Sequence, residues 1–182
     1  MALNLAAGRD SAYCEGMRAL LTLVPLMSSV LVAACGTSDV PTADVSGKYT
    51  LSLTKKNNGC AFANWTVGET AQGVVLTVTQ NANTVTGTFE GLAVVTLDLV
   101  LGTHVFTGTV LGSTADLQAN GSRAASQGTC AYTIDAHITM ALTGNAVNGS
   151  VVYTPKTNGS ADCGVLNACT STQDISGSRP PK

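Results

Sequence analysis

Charged side chains are scarce in this chain of 182 residues. Asp, Glu, Lys and Arg make up 11% of the residues, and the formal net charge is −2. A chain of this kind has no basic field that could attract a nucleic-acid backbone or anionic lipid headgroups, because such attraction needs clustered Lys and Arg. The composition therefore excludes nucleic acid as a partner.

The chain also lacks the short motifs of common catalytic and metal chemistry. It contains no His-Glu-x-x-His run, no Gly-x-Ser-x-Gly turn and no Cys-x-x-Cys pair. His104 and His137 have no ligating neighbours at useful spacing, and an exposed Asp135–His137 pair would lack the pocket that shifts a catalytic pKa. We expect two surface histidines, no metal, no cofactor and no enzymatic activity.

Long helical periodicity is absent after residue 46, where Thr, Val, Gly, Ser and Asn dominate. This composition is typical of short strands joined by tight turns. Apolar and polar residues alternate, as in Val85–Phe89, Phe106–Val110, Val147–Val151 and Ile175–Arg179. We predict eight strands and a less regular ninth around 114–119; the eight lie near 47–54, 73–80, 84–89, 92–101, 104–111, 130–142, 146–155 and 172–179.

Short connections between half-buried strands predict an antiparallel meander. Eight or nine such strands remove their edges by closing into an up-and-down barrel. The fold expected is therefore all-β, with an open β-sandwich as the alternative.

An apolar run over residues 19–34 follows Arg18 and ends in Leu31-Val32-Ala33-Ala34-Cys35. It resembles the lipobox of bacterial lipoproteins. The resemblance implies that residues 17–34 are a signal peptide and that Cys35 carries the acyl anchor. An ordinary signal peptide with a chance cysteine is the alternative.

The same resemblance sets the expected organisation of the chain. Residues 1–16 carry acidic side chains where a signal should be positive, so they are expected to be an upstream extension with translation starting at Met17. Gly36, rather than Asp, follows Cys35, which implies the outer membrane. Residues 35–46 are then a tether and 47–182 the barrel domain.

The domain begins with Gly47-Lys48-Tyr49 and has Arg179 near its end. This pattern resembles lipocalin-like (calycin) barrels, in which a basic residue near the last strand packs over an aromatic ring in the first. Here Tyr replaces the usual Trp. The resemblance implies that the last strand closes on the first and that Arg179 stacks over Tyr49.

Four cysteines remain after Cys35, and an exported chain meets an oxidising environment. We therefore predict two disulfides among Cys60, Cys130, Cys163 and Cys169, with all three pairings open. Strand direction in the barrel places these cysteines at one end and the tether at the other.

Two functions compete. The first is an envelope surface or protein-interaction module, with a solid barrel in which Gly87, Gly108, Gly149 and Gly177 permit bending. The alternative is a barrel whose inward glycines leave room for a small apolar ligand. Trp65, in the long first loop, either contacts a ligand or plugs the barrel. The expected walls of a ligand cavity are Leu51, Leu76, Val85, Leu97, Phe106, Ile134 and Met140.

Overall fold

The computed structural model describes residues 42–182. The expected extension 1–16, signal segment 17–34 and lipidation site Cys35 lie outside the described residues, as do residues 36–41 of the expected tether. The described part consists mainly of strands. They are β1 (Gly47–Asn58), β2 (Thr70–Asn81), β3 (Thr84–Glu90), β4 (Val105–Leu111), β5 (Thr114–Ala119), β6 (Ala125–Gln127), β7 (Cys130–Thr143), β8 (Ala146–Thr157) and β9 (Ser171–Ser178), with helix α1 (Leu92–Val100) and a 3₁₀ segment (Ala161–Ala168).

The strands form one antiparallel sheet that closes on itself. Their order in space is β5-β4-β3-β2-β1-β9-β8-β7-β6, and β5 also pairs with β7 along its whole length. Eight strands therefore make a closed up-and-down barrel, and β6 is an extra strand paired with the first residues of β7. This architecture confirms the predicted barrel and excludes the open sandwich.

Strict alternation along the strands fills the inside of the barrel with apolar side chains. In β3, Val85 and Phe89 are buried, whereas the threonines between them face outward. The rings of Phe89 and Phe106 meet edge to face, with centroids 5.4 Å apart. The innermost side chains are at most 1% exposed and include Leu51, Leu76, Phe106, Leu117 and Ile138.

The strand predicted at 92–101 is wrong, because this segment forms helix α1. A short apolar run carries no periodicity that separates a buried strand from a buried helix. The less regular strand at 114–119 is β5 and belongs to the barrel. The strand predicted at 104–111 therefore runs in the direction opposite to the one expected. One predicted strand is lost at 92–101, and the less regular strand β5 takes its place in the count. The number of barrel strands before β7 is therefore unchanged, and the later strands keep their expected directions.

The two ends of the barrel are built differently. The proximal end, where β1 begins and β9 ends, carries two-residue turns at 82–83, 112–113 and 144–145. The distal end carries four connections of ten to fourteen residues, and we call them the distal rim. They are residues 59–69, 91–104, 120–129 and 158–170. Long connections on a rigid scaffold are where proteins place working residues, so the distal rim is the natural place for a site.

Candidate functional site at the distal rim

The barrel interior is filled at the proximal end and along most of its predicted walls. Predicted wall residues Leu51, Leu76, Val85, Phe106 and Met140 are all buried, at 0 to 4% exposure. The cavity at this end, beside Tyr49 and Met140, measures about 10 Å³. That is about the smallest space that admits one water, so this cavity cannot hold an organic ligand.

The inward glycines allow close approach of neighbouring strands. A Cβ on Gly108 would lie 1.8 Å from the Asp116 carbonyl oxygen, and one on Gly149 would lie 2.0 Å from the Thr139 carbonyl oxygen. A Cβ on Gly177 would lie 2.3 Å from the Thr50 carbonyl oxygen. Backbone therefore occupies the space that a side chain would need. Of the two interpretations of these glycines, this geometry favours strand bending over an open cavity.

The proximal end is closed by the pair that the lipocalin-like pattern pointed to. The Arg179 guanidinium carbon lies 5.8 Å from the centroid of the Tyr49 ring, and its Nη1 donates a hydrogen bond to the Ser46 carbonyl. The Tyr49 hydroxyl donates to the Val45 carbonyl at 2.6 Å. A Cβ on Gly47 would lie 3.2 Å from Arg179 Cδ, so the glycine leaves room for the arginine.

Both predicted disulfides are present, and both lie at the distal end. Cys60 is bonded to Cys169, and Cys130 to Cys163. The first joins the connection after β1 to the connection before β9, and the second joins the start of β7 to the 3₁₀ segment. A smaller buried cluster forms around them and includes Leu166. The disulfides thus hold three of the four rim connections or their neighbours in place.

A polar contact reinforces this side of the rim. The Asp162 carboxylate accepts hydrogen bonds from the Thr129 amide at 2.8 Å and from its hydroxyl at 2.7 Å. These bonds favour the charged form and lower the pKa of Asp162. The 3₁₀ segment is therefore tied to the β6–β7 turn by a charge-assisted contact as well as by a disulfide.

Trp65 covers part of the distal opening. Its ring packs edge-on against Tyr153 at 5.9 Å and lies 6.0 Å from Phe62. Lys55 Nζ lies 5.9 Å above the same ring and is paired with Glu69. The indole Nε1 is buried, with no hydrogen-bond partner within the described part of the chain. These contacts favour the plug interpretation of Trp65 over the ligand-contact one.

Helix α1 covers the neighbouring part of the opening. Leu97, expected as a wall on a strand, lies on this helix and packs against the core together with Ala93. The opposite face of the helix is apolar too: Leu92, Val95 and Leu99 are 89, 67 and 63% exposed. These positions follow the i, i+3, i+7 spacing of one helix face. An apolar stripe, formed by Leu92, Val95 and Leu99, therefore faces outward.

A cleft of about 340 Å³ opens between α1 and the connection that follows β5. The cleft is open to solvent, and five of its seven lining residues are exposed. Barrel mouths are among the common locations of small-molecule sites. Ile134, one of the predicted walls, lines the cleft, so it is the predicted wall residue that contributes to an accessible site. The full lining is Leu99, Val100, Arg123, Ala124, Ala125, Tyr132 and Ile134.

Sequence reasoning missed most of this cleft. Leu99 and Val100 belong to the segment that was assigned to a strand, and Arg123 lies in a stretch that carried no prediction. The available signal was Arg123 itself, since it is the one charged residue between Asp116 and Asp135.

Neither histidine is among the residues that line the cleft. His137 Nε2 lies 2.8 Å from Asp116 Oδ1, and His104 Nδ1 lies 2.8 Å from Asp98 Oδ1. Asp135 instead accepts a hydrogen bond from the Gly121 amide. Within residues 42–182, no group of three or more His, Cys, Asp or Glu side chains is arranged to hold a metal ion.

The chain was compared with known protein families, curated proteins and solved structures. No protein-family model matches the chain, and no curated protein or solved structure matches it either. Among the described residues, no helix has both the length and the apolar character needed to cross a membrane.

Proposed function

We propose that the protein is a bacterial envelope lipoprotein, anchored through an acyl chain on Cys35 to the outer membrane, whose lipocalin-like barrel presents a protein-interaction surface. The anchor is supported by the apolar run 19–34 and the small residues before Cys35. The lipocalin-like assignment is supported by the Tyr49–Arg179 stacking.

The distal rim carries the interaction surface. Within the described residues, seven of the eight exposed large apolar side chains belong to the rim or to the strand residue beside it; they are Val67, Leu92, Val95, Leu99, Val100, Val105 and Val165. The eighth, Leu111, lies at the proximal end. Four of the seven, Leu92, Val95, Leu99 and Val100, lie on α1, and an exposed apolar patch of this kind supports an interaction site there.

The partner that fits this surface is a protein with an uncharged apolar face. Asp98 is the one charged residue of α1, and it is paired with His104. Helices that bind membrane surfaces carry Lys and Arg on their polar face, and α1 has none. Full burial of Leu92, Val95 and Leu99 would contribute about 1.5–3 kcal/mol each, offset in part by the freedom lost on association.

Site-specific photo-crosslinking in cells tests this surface. A photoreactive residue at Leu99 is expected to form an adduct with an envelope protein, and Leu92→Ser combined with Val95→Ser should abolish that adduct. Leu111 is the matched control because it is 72% exposed at the opposite end. Equal adducts at the two positions, or an adduct at Leu99 that survives the serine substitutions, would contradict the proposal.

Membrane fractionation tests the anchor separately. Cys35→Ala is expected to release the protein from the membrane fraction and to abolish acyl labelling. Unchanged partitioning of this variant would exclude Cys35 as the anchor.

The 340 Å³ cleft supports a second function, binding of a small apolar molecule. Because the proximal interior is filled, the ligand of this second function would bind at the distal mouth of the barrel and not at its centre.

A further inference from the structure

Arg123 differs from every other Lys and Arg side chain within residues 42–182. All five lysines in this range lie in ion pairs with carboxylates, namely Lys48, Lys55, Lys56, Lys156 and Lys182. Arg179 stacks on Tyr49 and donates to a carbonyl. In the described part of the chain, the Arg123 guanidinium has neither a carboxylate nor a hydrogen-bond acceptor, although its backbone amide is bonded to the Leu101 carbonyl.

This unpaired arginine is one of the residues that line the cleft. Arg123 lines it together with the apolar side chains of Leu99, Val100 and Ile134. The hydroxyl of Tyr132, which also lines the cleft, makes no side-chain hydrogen bond within residues 42–182. The lining thus combines apolar side chains with one unpaired cation, a combination that can fix the orientation of a small ligand.

The backbone holds Arg123 in position for this role. The amides of Ser122 and Arg123 donate to the Leu101 carbonyl at 2.7 and 3.1 Å. Leu101 itself is fully buried. The connection after β5 is therefore tied to the end of α1, so the arginine and the apolar wall of the cleft belong to one supported unit.

We propose that this cleft binds a small amphipathic carboxylate, with its apolar chain against Leu99, Val100 and Ile134 and its carboxylate on the Arg123 guanidinium. Arginine matches a carboxylate with two parallel hydrogen bonds, and such charge-assisted bonds are roughly twice as strong as neutral ones. The inference deepens the second function proposed above, and it does not depend on an acyl group at Cys35.

Binding of decanoate and decanol to the full chain tests the inference by titration calorimetry. The two probes share an apolar chain and differ in charge. We expect the unmodified protein to bind decanoate at least about tenfold more tightly than decanol. Arg123→Gln is expected to remove this preference and leave decanol binding unchanged. Ala124→Trp, which fills the cleft from an exposed position, should abolish binding of both probes.

Lys156→Gln is the matched control. Lys156 lies at the same end of the barrel, its side chain is 66% exposed, and it does not line the cleft. It should leave both affinities unchanged. If decanol and decanoate bind equally to the unmodified protein, the carboxylate inference is wrong while the apolar-ligand function stands. If neither probe binds, both are wrong. Binding that survives Ala124→Trp would place the ligand elsewhere and overturn the proposal.

Discussion

Arg179 and Tyr49 close the proximal end of the barrel across 130 positions of sequence, with the guanidinium carbon 5.8 Å from the ring centroid. The ring is 2% exposed, so the cation lies over a surface from which water is largely excluded. The contact links the first and last strands of the barrel in addition to their backbone pairing.

A double-mutant cycle measures this contact. Arg179→Leu and Tyr49→Leu are each expected to lower the free energy of unfolding, and the double variant should lose less than the sum. We expect a coupling energy of about 0.5–2 kcal/mol, the range for a cation–π pair that is partly desolvated. Strictly additive effects in urea unfolding would show that the two side chains contribute independently.

Alkaline pH should destabilise the protein through Tyr153. Burial raises the pKa of Tyr153 to about 12 from an ordinary value of 10. Between these values the folded state holds a proton that the unfolded state has released, so stability is complete below pH 10 and falls as the pH rises toward 12. The expected slope is up to about 1.4 kcal/mol per pH unit for one proton.

Tyr153→Phe keeps the ring beside Trp65 and removes the phenolic hydroxyl, so the slope between pH 10 and 12 should become shallower. Burial also raises the pKa of Tyr49, so Tyr49→Phe should act in the same direction. Chemical unfolding at a series of pH values checks both variants. An unchanged slope in Tyr153→Phe would contradict the assignment.

The two disulfides should differ in their contribution to stability. The Cys60–Cys169 bond spans 109 residues and the Cys130–Cys163 bond spans 33. Removal of a native disulfide from a small secreted domain costs about 2–5 kcal/mol, and the chain-entropy treatment makes the longer loop worth about 1 kcal/mol more. Replacing each pair by serines and comparing urea midpoints tests this order. A greater loss from the shorter loop would show that local packing, rather than chain entropy, dominates.

Alanine substitution separates two kinds of inward glycine. Gly108→Ala would place a Cβ against the backbone of β5, which cannot move without opening the barrel, so we expect a loss of about 1–3 kcal/mol or more. In Gly87→Ala the Cβ would lie 3.2 Å from Leu76 Cδ1, the end of a flexible side chain. Its loss should therefore be smaller. Similar urea midpoints for the two variants would refute the backbone explanation.

The strands were predictable wherever alternation was complete. In β7, apolar residues at every second position from Ile134 to Met140 face inward as expected. Residues 92–101 were wrongly predicted as a strand, because an apolar run without alternation suits a strand or a helix equally. Its helical form depends on the barrel, against which Leu97 and Ala93 pack, since α1 has no side-chain cap at its start.

The candidate site was less predictable than the fold. Its cleft needs α1 as one wall, so the incorrect strand at 92–101 removed the site from view. The disulfide pairing was also beyond sequence reasoning, because four cysteines at the same end of a barrel satisfy more than one pairing. The stacking of Arg179 on Tyr49 was predictable, because both residues belong to a short motif whose two parts meet when the barrel closes.

The barrel can close only when its last strand, β9, pairs with β1. Until residues 171–178 are available, Gly47–Asn58 has a neighbour on one side alone, and β8 also presents a bare edge. A growing or truncated chain therefore exposes two unsatisfied strand edges, the surfaces through which β-proteins aggregate. Deletion of β9 should leave an open sheet with two exposed edges. We therefore expect the solubility of the whole protein to depend on its carboxyl-terminal strand.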